Sequence, residues 1–398
     1  MKTKVVVIGQ SYSSRLSIVR SVAQLDCEIT VVVTNPENEK KPKRPIDCYS
    51  KYITRVLYCQ HRDEKTMISL LMDECKDPNQ KVVLIPDGDD VVAAIDNNRE
   101  VLQEYFAFPY VAKEPASLSY WMEKFNQKNL AREVGLNVAN GIVIEIVDGH
   151  FTIPEAIHYP CFVKPLASWT GRKWGMRRCN NEEDLKSCLN FTYSNWGNIP
   201  LLVEDFLTID REFATLGFSD GTEVIIPGLL ELLHIGHGKT FGVAWQGSVF
   251  PITGYEDLVE KFKELVKRIG FVGLFDIDFF ESNGVMYFCE LNLRYGGSGY
   301  AFTRLGVNLP VMMIKSFMGE SIDGMNKTIS GEAKYFNERI AIEEWYNGYL
   351  ATDEYNTMKS GSDIKFVEDE EDPAPQKVLD REIRLRSIKR SIKKLIRR

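Results

Sequence analysis

Apolar and polar positions alternate in two different rhythms along the first hundred residues. Short apolar runs of the kind that form buried strands are separated by longer stretches with helical periodicity. The apolar runs are Lys4–Ile8, Glu28–Val33 and Lys81–Ile85, and the helical stretches are Ser13–Leu25 and Asp89–Tyr105. This order of strand, helix and strand predicts a parallel sheet with crossover helices.

The pattern changes from about Ser117 onward. One helix is predicted over Ser119–Val134, ending at Gly135, and another over Glu256–Ile269. Between the two helices lie short strand-like segments with glycine turns, without a further strand–helix repeat. The second part of the chain is therefore predicted to be α+β.

The strongest local signal is a hairpin. Two apolar segments, Gly273–Phe280 and Val285–Asn292, flank the turn residues Ser282-Asn283-Gly284. An Asn-Gly pair between strand-like segments is typical of a tight hairpin turn. The sequence therefore predicts two adjacent antiparallel strands here.

Polar groups that can bind a cation occupy both strands of this hairpin. Asp276 and Asp278 share one side of their strand, and Glu290 and Asn292 share one side of theirs, because side chains alternate along a strand. A three-residue loop at 282–284 makes Asp276 face Glu290 and brings all four groups together, whereas a two-residue loop places the two pairs on opposite faces. Clustered, partly buried carboxylates repel one another unless a cation neutralises them.

The chemistry of these groups selects the cation. All are oxygen donors without a histidine or cysteine pattern beside them, and such a set suits Mg²⁺, which keeps water and phosphate oxygens in its shell. Mg²⁺ with phosphates points to ATP. Arg294 follows two residues after Asn292, so it belongs on the same face and can bring positive charge to a transferring phosphoryl group. Lys164, at the end of an apolar run, is either a second such cation or a lysine whose ammonium extends to solvent.

Composition and charge narrow the class of protein. The 398 residues carry a formal net charge of −7, so the bulk of the surface offers no general attraction for nucleic acid. The first turn, Gly9–Ser14, has one glycine where a dinucleotide-binding fingerprint needs three, which argues against an NAD site there. The eight cysteines form no CxxC pair and are expected to be free thiols. Neither a signal peptide nor a membrane span is predicted, and the expected location is the cytoplasm.

The C-terminal residues 381–398 differ from the rest of the chain in charge. Lysine and arginine dominate this segment, and apolar residues recur in it at intervals of three and four. The pattern predicts an amphipathic basic helix, preceded by an exposed acidic linker at 368–375. Two interpretations stay open for the helix: it docks on the acidic body of the protein, or it makes a peripheral contact with an anionic membrane, at the inner membrane surface.

An ordered set of residues resembles the ATP-grasp superfamily of carboxylate–amine ligases. The set consists of Lys124, Lys164-Pro165, a glycine-containing loop at 168–175, Val203-Glu204-Asp205-Phe206, Glu212, Asp278 and Glu290-Leu291-Asn292-Leu293-Arg294. Its most specific part is the spacing of 12 from Asp278 to Glu290, together with the E-x-N-x-R run. The resemblance implies a fold of mixed α/β and α+β class, with a Rossmann-like pre-ATP-grasp domain followed by an ATP-grasp fold.

Domain boundaries follow from the same resemblance. Residues 1–117 are expected to form the Rossmann-like domain and residues 118–335 the catalytic domain, with a small subdomain at about 118–200 and a large one at about 201–335. Residues 336–398 form a C-terminal extension with the acidic linker and the basic helix. Several segments are also similar to D-aspartate ligase and its relatives, namely Ile85–Asp89, Asn97–Arg99, Pro227–Glu231 and Arg294–Tyr300.

The resemblance implies a role for each matching residue. Lys124 and Lys164 would hold the phosphates of ATP, and Arg294 would contact the phosphoryl group and the acyl intermediate, so that Lys164 and Arg294 are the expected catalytic residues. The remaining assignments are the adenine pocket for Glu204, Asp205 and Phe206, the ribose for Glu212, and Mg²⁺, with Mn²⁺ as the alternative, for Asp278, Glu290 and Asn292.

The implied activity joins a small-molecule carboxylate to an amine through an acyl phosphate, with release of ADP. An amino acid and an envelope or peptide-like precursor are the substrates that the likeness to D-aspartate ligase suggests. Two other hypotheses stay open: an ATP-dependent carboxylase that acts through carboxyphosphate, and a nucleotide-binding regulator without turnover. No nucleic-acid partner is expected.

Overall fold

The N-terminal part of the chain is a parallel sheet. The computed structural model describes residues 2–10, 12–34, 44–59, 63–167, 176–238 and 242–396. The elements of this part are strands β1 (Thr3–Gly9), β2 (Cys27–Thr34), β3 (Arg55–Cys59), β4 (Val82–Asp87) and β5 (Phe106–Ala107), with helices α1 (Tyr12–Val22), α2 (Glu64–Leu70), α3 (Asp89–Asn97) and α4 (Arg99–Leu102). All neighbouring strands are parallel, in the order β3-β2-β1-β4-β5. The prediction of a Rossmann-like sheet is confirmed.

A smaller sheet of antiparallel strands follows. After the short strand β6 (Tyr110–Val111), the chain forms α5 (Leu118–Trp121), α6 (Lys124–Glu133), β7 (Gly141–Ile144), β8 (Cys161–Pro165), β9 (Arg177–Cys179), α7 (Glu182–Trp196) and β10 (Leu201–Asp205). The strands are ordered β7-β10-β8-β9. This arrangement confirms the change to α+β structure that the sequence predicts after Ser117.

The predicted single helix over Ser119–Val134 is wrong in one respect, because it is divided into α5 and α6. Glu123 lies between them in an extended conformation, with φ −79° and ψ 122°. The next N–H group, that of Lys124, donates a hydrogen bond to the carbonyl of Leu166 at 3.0 Å. The break thus fastens the start of α6 to the end of β8 and places Lys124 in the first turn of a helix.

The largest sheet contains nine strands. Its elements and the helices between them are β11 (Arg211–Asp220), β12 (Val224–Ile225), β13 (Leu229–Ile235), β14 (Ala244–Phe250), α8 (Glu256–Ile269), β15 (Phe271–Ser282), β16 (Val285–Asn292), α9 (Tyr300–Arg304), α10 (Leu309–Phe317), β17 (Ala333–Phe336), α11 (Glu338–Asn347), α12 (Thr352–Ser360) and β18 (Ile364–Lys365). The main order is β16-β15-β11-β13-β14-β17-β18, while β12 pairs with β11 and β6 with β15.

The two faces of this sheet pack on different partners. On one face Phe279 stacks on Phe213, with ring centroids 5.3 Å apart, and contacts Phe262 of α8. On the other face Ala214 and Leu216 belong to one buried cluster with residues of the N-terminal sheet. Ala214 and Leu216 are paired in register with Asp278 and Asp276. The carboxylates of β15 therefore lie on the face that is turned toward the N-terminal domain.

The C-terminal extension is integrated into the body of the protein. β17 and β18 extend the large sheet, and residues 368–372 do not form the fully exposed linker that the sequence predicts. Glu370 and Glu371 are exposed, but Asp372 is fully buried and accepts a hydrogen bond from Arg20 at 3.0 Å. Arg20 donates further bonds to the carbonyls of Phe366 and Val367, at 2.9 and 3.0 Å. This correction has a simple cause, since the composition of a short acidic run does not show which of its members meets a buried cation.

Asp372→Asn is expected to destabilise the protein by about 3–5 kcal/mol, because it leaves the buried guanidinium of Arg20 without its countercharge. Urea unfolding measures this change in the free energy of unfolding. Glu371→Gln, at the exposed neighbouring position, is the control and is expected to change stability by less than about 0.5 kcal/mol. Equal stability losses in the two variants would contradict the importance of the buried pair.

The C-terminal helix is α13 (Ala374–Ile396), which confirms the predicted helix. Its first part docks on the body: Leu379 is fully buried, and Arg386 donates to both carboxylate oxygens of Glu343, at 2.7 and 2.8 Å. Leu385 and Ile388 are 60% and 57% exposed. Among the described residues no helix has the length and apolar content needed to cross a membrane. The membrane contact of residues 381–398 stays a prediction.

Candidate active site

The predicted hairpin is present, but its turn is shorter than the sequence argument required. Ser282 pairs with Val285, so the turn consists of Asn283 and Gly284 alone, with φ of 51° and 74°. Such a pair of left-handed residues is the geometry that an Asn-Gly turn adopts. On the alternation argument, this two-residue turn would place the polar pairs on opposite faces of the sheet.

A β-bulge corrects the alternation. Asp278 is opposite Glu290, whereas the next pair is Phe279 with Phe288, so Cys289 is an extra residue in β16. A bulge shifts the phase of one strand by one residue. The four groups therefore share a face after all, with Asp278 opposite Glu290 and Asp276 opposite Asn292. The predicted convergence is confirmed, and the predicted pairing of Asp276 with Glu290 is wrong.

The proposed metal ligands are adjacent. The side-chain amide of Asn292 donates to Asp278 at 3.1 Å, and Glu290 lies on the neighbouring strand directly across from Asp278. Among the residues that the structure describes, no group of three or more His, Cys, Asp and Glu side chains is placed to hold a metal by itself. Two carboxylates and one amide nevertheless fit Mg²⁺, because this ion retains water and binds phosphate oxygens in the rest of its shell.

Two lysines on one face of α6 contact carboxylates of two different strands, β16 and β10. The ammonium group of Lys124 donates a hydrogen bond to Glu290. Lys128, one turn further along the helix, donates to Glu204 of β10. Lys124 was predicted, but Lys128 was missed. Its signal in the sequence is the spacing of four from Lys124, which places both ammonium groups on the same side of a helix.

Glu204 is held between two ammonium groups. Lys164 of β8 lies 2.6 Å from one carboxylate oxygen of Glu204, and Lys128 donates to the other. Lys164 is only 5% exposed, so it does not extend to solvent. Burial acts to raise the pKa of Glu204, but the charges of the two lysines outweigh it and lower that pKa. Burial, together with the nearby charge of Lys164, lowers the pKa of Lys128 to about 8.

The residues predicted for the adenine and ribose are placed as follows. The N–H groups of Asp205 and Phe206 already donate to the carbonyls of Asn140 and Pro160, at 2.9 and 3.1 Å. These two N–H groups are therefore not free to bind a base. Glu212 is half-buried on β11, and burial raises the pKa of its carboxyl group. The glycine-containing loop at 168–175 lies outside the described residues.

Arg294 links the hairpin to the N-terminal domain, which the sequence argument did not foresee. Its Nε donates to Asp89, the first residue of α3, at 2.7 Å. Asp87, at the end of β4, is buried, and burial raises its pKa to about 8 against the opposing charges of Arg15 and Arg294. Burial and the charge of Asp278 raise the pKa of Asp276, and the charge of Arg294 counteracts this rise.

The turn after Arg294 approaches Asp276 closely. A Cβ atom at Gly296 would lie 2.3 Å from a carboxylate oxygen of Asp276. A side chain at position 296 would therefore force the carboxylate of Asp276 to move. Glycine allows the turn to pack directly against this carboxylate.

Taken together, the structure brings most of the predicted side chains to one region, which we call the cleft, where the four-stranded sheet, the hairpin of the large sheet and the N-terminal domain meet. These are Lys124, Lys164, Glu204, Asp278, Glu290, Asn292 and Arg294, and the structure adds Lys128, Asp87, Asp89 and Asp276. Cations lie along the α6 and β8 side of the cleft, whereas carboxylates prevail toward the N-terminal domain. An anion such as a triphosphate fits the first side.

Comparison with known proteins decides the fold. Residues 129–308 match the ATP-grasp domain family. This part of the chain is thus similar to ATP-grasp domains. Among curated relatives, formate-dependent phosphoribosylglycinamide formyltransferase from Wolinella succinogenes is 25% identical over 170 residues, which are 42% of this chain and 43% of the relative. The match thus spans less than half the length of that relative.

Two solved structures extend the likeness beyond this domain. The biotin carboxylase domain of the Hydrogenobacter thermophilus 2-oxoglutarate carboxylase, in complex with MgADP, ADP and bicarbonate, is 15% identical with a TM-score of 0.64, covering 84% of this chain and 74% of that one. L-amino acid ligase from Bacillus licheniformis is 14% identical with a TM-score of 0.58, covering 84% and 79%. At these identities the likeness shows the fold, and it confirms an ATP-grasp architecture preceded by a parallel sheet.

Proposed function

We propose that this protein is an ATP-dependent ligase that activates a carboxylate as an acyl phosphate and transfers the acyl group to an amine. The observation that carries this proposal is the hairpin of the ATP-grasp domain. Asp278, Glu290 and Asn292 share one face of it, with Lys124 in contact with Glu290. Arg294 follows the end of β16, and its Nε donates a hydrogen bond to Asp89 of the N-terminal domain.

The reaction needs activation because a carboxylate is a poor electrophile. A carboxylate oxygen attacks the γ-phosphorus of ATP, and ADP leaves. The amine nitrogen then attacks the acyl carbon, inorganic phosphate leaves, and the nitrogen loses a proton to give the amide. Positioning and charge neutralisation are the main tasks of the protein in such phosphoryl transfers.

The cations of the cleft suit the phosphates of ATP. Lys124 and Lys164 would hold them, and each ammonium would exchange part of its contact with Glu290 or Glu204 for a phosphate oxygen. Glu204 with the backbone near Asp205 and Phe206 would border the adenine, and Glu212 the ribose. In this protein Lys128 would keep Glu204 in place when Lys164 turns to the nucleotide.

The metal and the arginine complete the proposal. Asp278, Glu290 and Asn292 would hold Mg²⁺, with Mn²⁺ as the alternative, and the ion when bound neutralises charge on the phosphates. Arg294 would contact the transferring phosphoryl group and the acyl phosphate, which requires it to share its charge between Asp89 and the substrate. The three proposed metal ligands lie on one face of the hairpin in the observed strand register.

Carboxylation through carboxyphosphate is the second candidate, favoured by the likeness to a carboxylase domain bound to MgADP and bicarbonate. A nucleotide-binding regulator without turnover is the third. Against this third hypothesis stands the presence of Asp278, Glu290, Asn292 and Arg294 together in the cleft.

One assay separates the candidates. ADP release is measured for the whole protein with ATP and Mg²⁺ across a panel of carboxylates and amines, including D-aspartate, with bicarbonate as a separate arm. We expect ADP release that requires both a carboxylate and an amine. Bicarbonate-dependent release without another carboxylate would show a carboxylase, and no release with any pair, despite ATP binding, would favour the regulator.

A further inference from the structure

Three carboxylates from two domains act on the guanidinium of Arg294. Asp89 accepts its Nε hydrogen bond at 2.7 Å, and the charges of Asp276 and Asp87 also act on it. Asp87 ends β4, Asp89 begins α3, and Asp276 lies in β15. Arg15 also acts on Asp87 but is hydrogen-bonded to Asp47, so two arginines face four acidic groups among the described residues.

Two of these groups also have an oxygen without a hydrogen-bond partner among the described residues. Asp87 is 3% exposed and its Oδ2 has no partner, although the residue is enclosed between strand and helix. The Oδ1 of Asp276 is buried and has no partner either. Buried polar atoms are paired in the great majority of cases, because an unpaired one costs free energy. Unpaired carboxylate oxygens beside the proposed catalytic arginine therefore favour a ligand that donates hydrogen bonds.

The charge of this ligand follows from its surroundings. An anion or a phosphate oxygen would meet carboxylates, and the residues that would hold Mg²⁺ are others, namely Asp278, two residues from Asp276, and Glu290 across from Asp278. An ammonium group has one positive charge and three N–H donors. It can bond to Asp89 and to the unpaired oxygens of Asp87 and Asp276 while Arg294 turns toward the acyl phosphate.

We infer that Asp87, Asp89 and Asp276 form an ammonium subsite that binds the protonated amino group of the amine substrate. This inference rests on the proposed function and adds the class of acceptor. The acceptor is an aliphatic primary amine, as in an amino acid or an amino sugar, which is cationic near neutral pH. Aromatic amines and amides are neutral there and do not match this cluster of carboxylates.

The subsite also explains why the N-terminal domain contacts the hairpin. Asp87 and Asp89 stand at the carboxyl end of a central strand of the parallel sheet, where ligands bind in open α/β sheets. The bond between Asp89 and Arg294 brings this sheet edge to the reacting centre. An ammonium group held there would first lose one proton to one of these carboxylates, and the neutral nitrogen would then lie next to the arginine that would contact the acyl phosphate.

Binding of a simple ammonium ion tests the inference without requiring turnover. The melting temperature of the whole protein is measured in methylammonium chloride and in tetramethylammonium chloride at equal concentration. Tetramethylammonium has the same charge but no N–H donor. We expect methylammonium to stabilise the wild-type protein more than tetramethylammonium does, and this difference to vanish in Asp89→Asn. In Glu100→Gln, at an exposed position nearby, the difference is expected to remain.

Asp87→Asn is the second variant, so that the test survives if Asp89→Asn does not fold. Equal stabilisation by the two ammonium ions in the wild type, or a difference that persists in the folded aspartate variants, would overturn the subsite. A third arm uses MgCl₂ at matched ionic strength. Stabilisation by Mg²⁺ that is lost in Asp89→Asn, without a methylammonium effect, would show a metal site and would also overturn the inference.

Kinetics then connect the subsite with the proposed reaction. With an aliphatic amine that supports ADP release, Asp89→Asn is expected to raise the KM for the amine by ~10-fold or more, because a hydrogen bond to a charged group is lost, and to leave the KM for ATP within about twofold of wild type. A matching rise in both constants would contradict a specific role in amine binding. If no amine supports ADP release while the methylammonium effect is present, the proposed ligase function fails and the subsite stands.

Discussion

Glu290→Gln is expected to lower the rate of ADP release by ~10²-fold or more while the protein stays folded. Glutamine keeps the shape of the side chain and can still accept a hydrogen bond from Lys124, whose ammonium now contacts Glu290. It removes the charge that, together with Asp278, would hold Mg²⁺ against the phosphates. The rate is measured at saturating ATP and Mg²⁺ with the carboxylate and amine that the wild type uses, and folding is checked by thermal unfolding.

The matched control is Glu281→Gln, on the same hairpin. Glu281 lies near its turn, and its carboxylate contacts Arg211 at 3.4 Å rather than the cleft. We expect its rate to stay within about twofold of wild type. Near wild-type turnover of Glu290→Gln in saturating Mg²⁺ would remove this residue from the metal site, and an equal loss in the control would point to damage to the hairpin as a whole.

The hairpin shows how far local sequence reasoning reaches. Alternation along the strands and the Asn-Gly turn predict the hairpin and its polar residues correctly. The four groups share a face, but the turn is the two-residue alternative, which by alternation alone would have separated them. A bulge at Cys289 provides the missing shift of one residue, and a bulge at a non-glycine position has no clear signature in one sequence.

Contacts between distant segments are the part that the sequence could not supply. The spacing within the E-x-N-x-R run predicts that Arg294 lies on the face of Asn292, but it does not show that its guanidinium reaches Asp89, about 200 residues earlier in the chain. The buried pair of Arg20 with Asp372 is of the same kind. Such pairs depend on how two domains pack, and patterns within one strand or helix carry no information about it.

The lysines of the site could be predicted from the sequence only in part. Lys124 and Lys164 were predicted from the ATP-grasp resemblance. Lys128 follows Lys124 by one helical turn, yet only the structure shows that Lys128 and Lys164 share the carboxylate of Glu204. Because Lys164 is buried in an ion pair and does not extend to solvent, its substitution is expected to affect the stability of the protein as well as ATP binding.

Lys164→Met is expected to weaken ATP binding by ~10-fold or more and to destabilise the protein by about 1–3 kcal/mol. The first effect follows from the loss of a cation for the phosphates. The second follows from burial, since Glu204 and Lys164 are each 5% exposed and the carboxylate loses one of its two ammonium partners. Calorimetric titration with ATP and urea unfolding measure the two effects separately.

The double variant Lys164→Met with Glu204→Gln distinguishes a role in ATP binding from a role in folding. Neutralising Glu204 also takes the carboxylate partner from the buried ammonium of Lys128, so no recovery of stability relative to Lys164→Met is expected. The ATP affinity is compared with that of Glu204→Gln alone, which keeps both lysines. If Lys164 binds phosphate, the double variant stays weaker than Glu204→Gln by ~10-fold or more, because a charged hydrogen bond to the nucleotide is still missing. Equal affinities in these two variants would show that Lys164 serves only to neutralise Glu204, and the phosphate contacts would then have to come from Lys124 and Lys128.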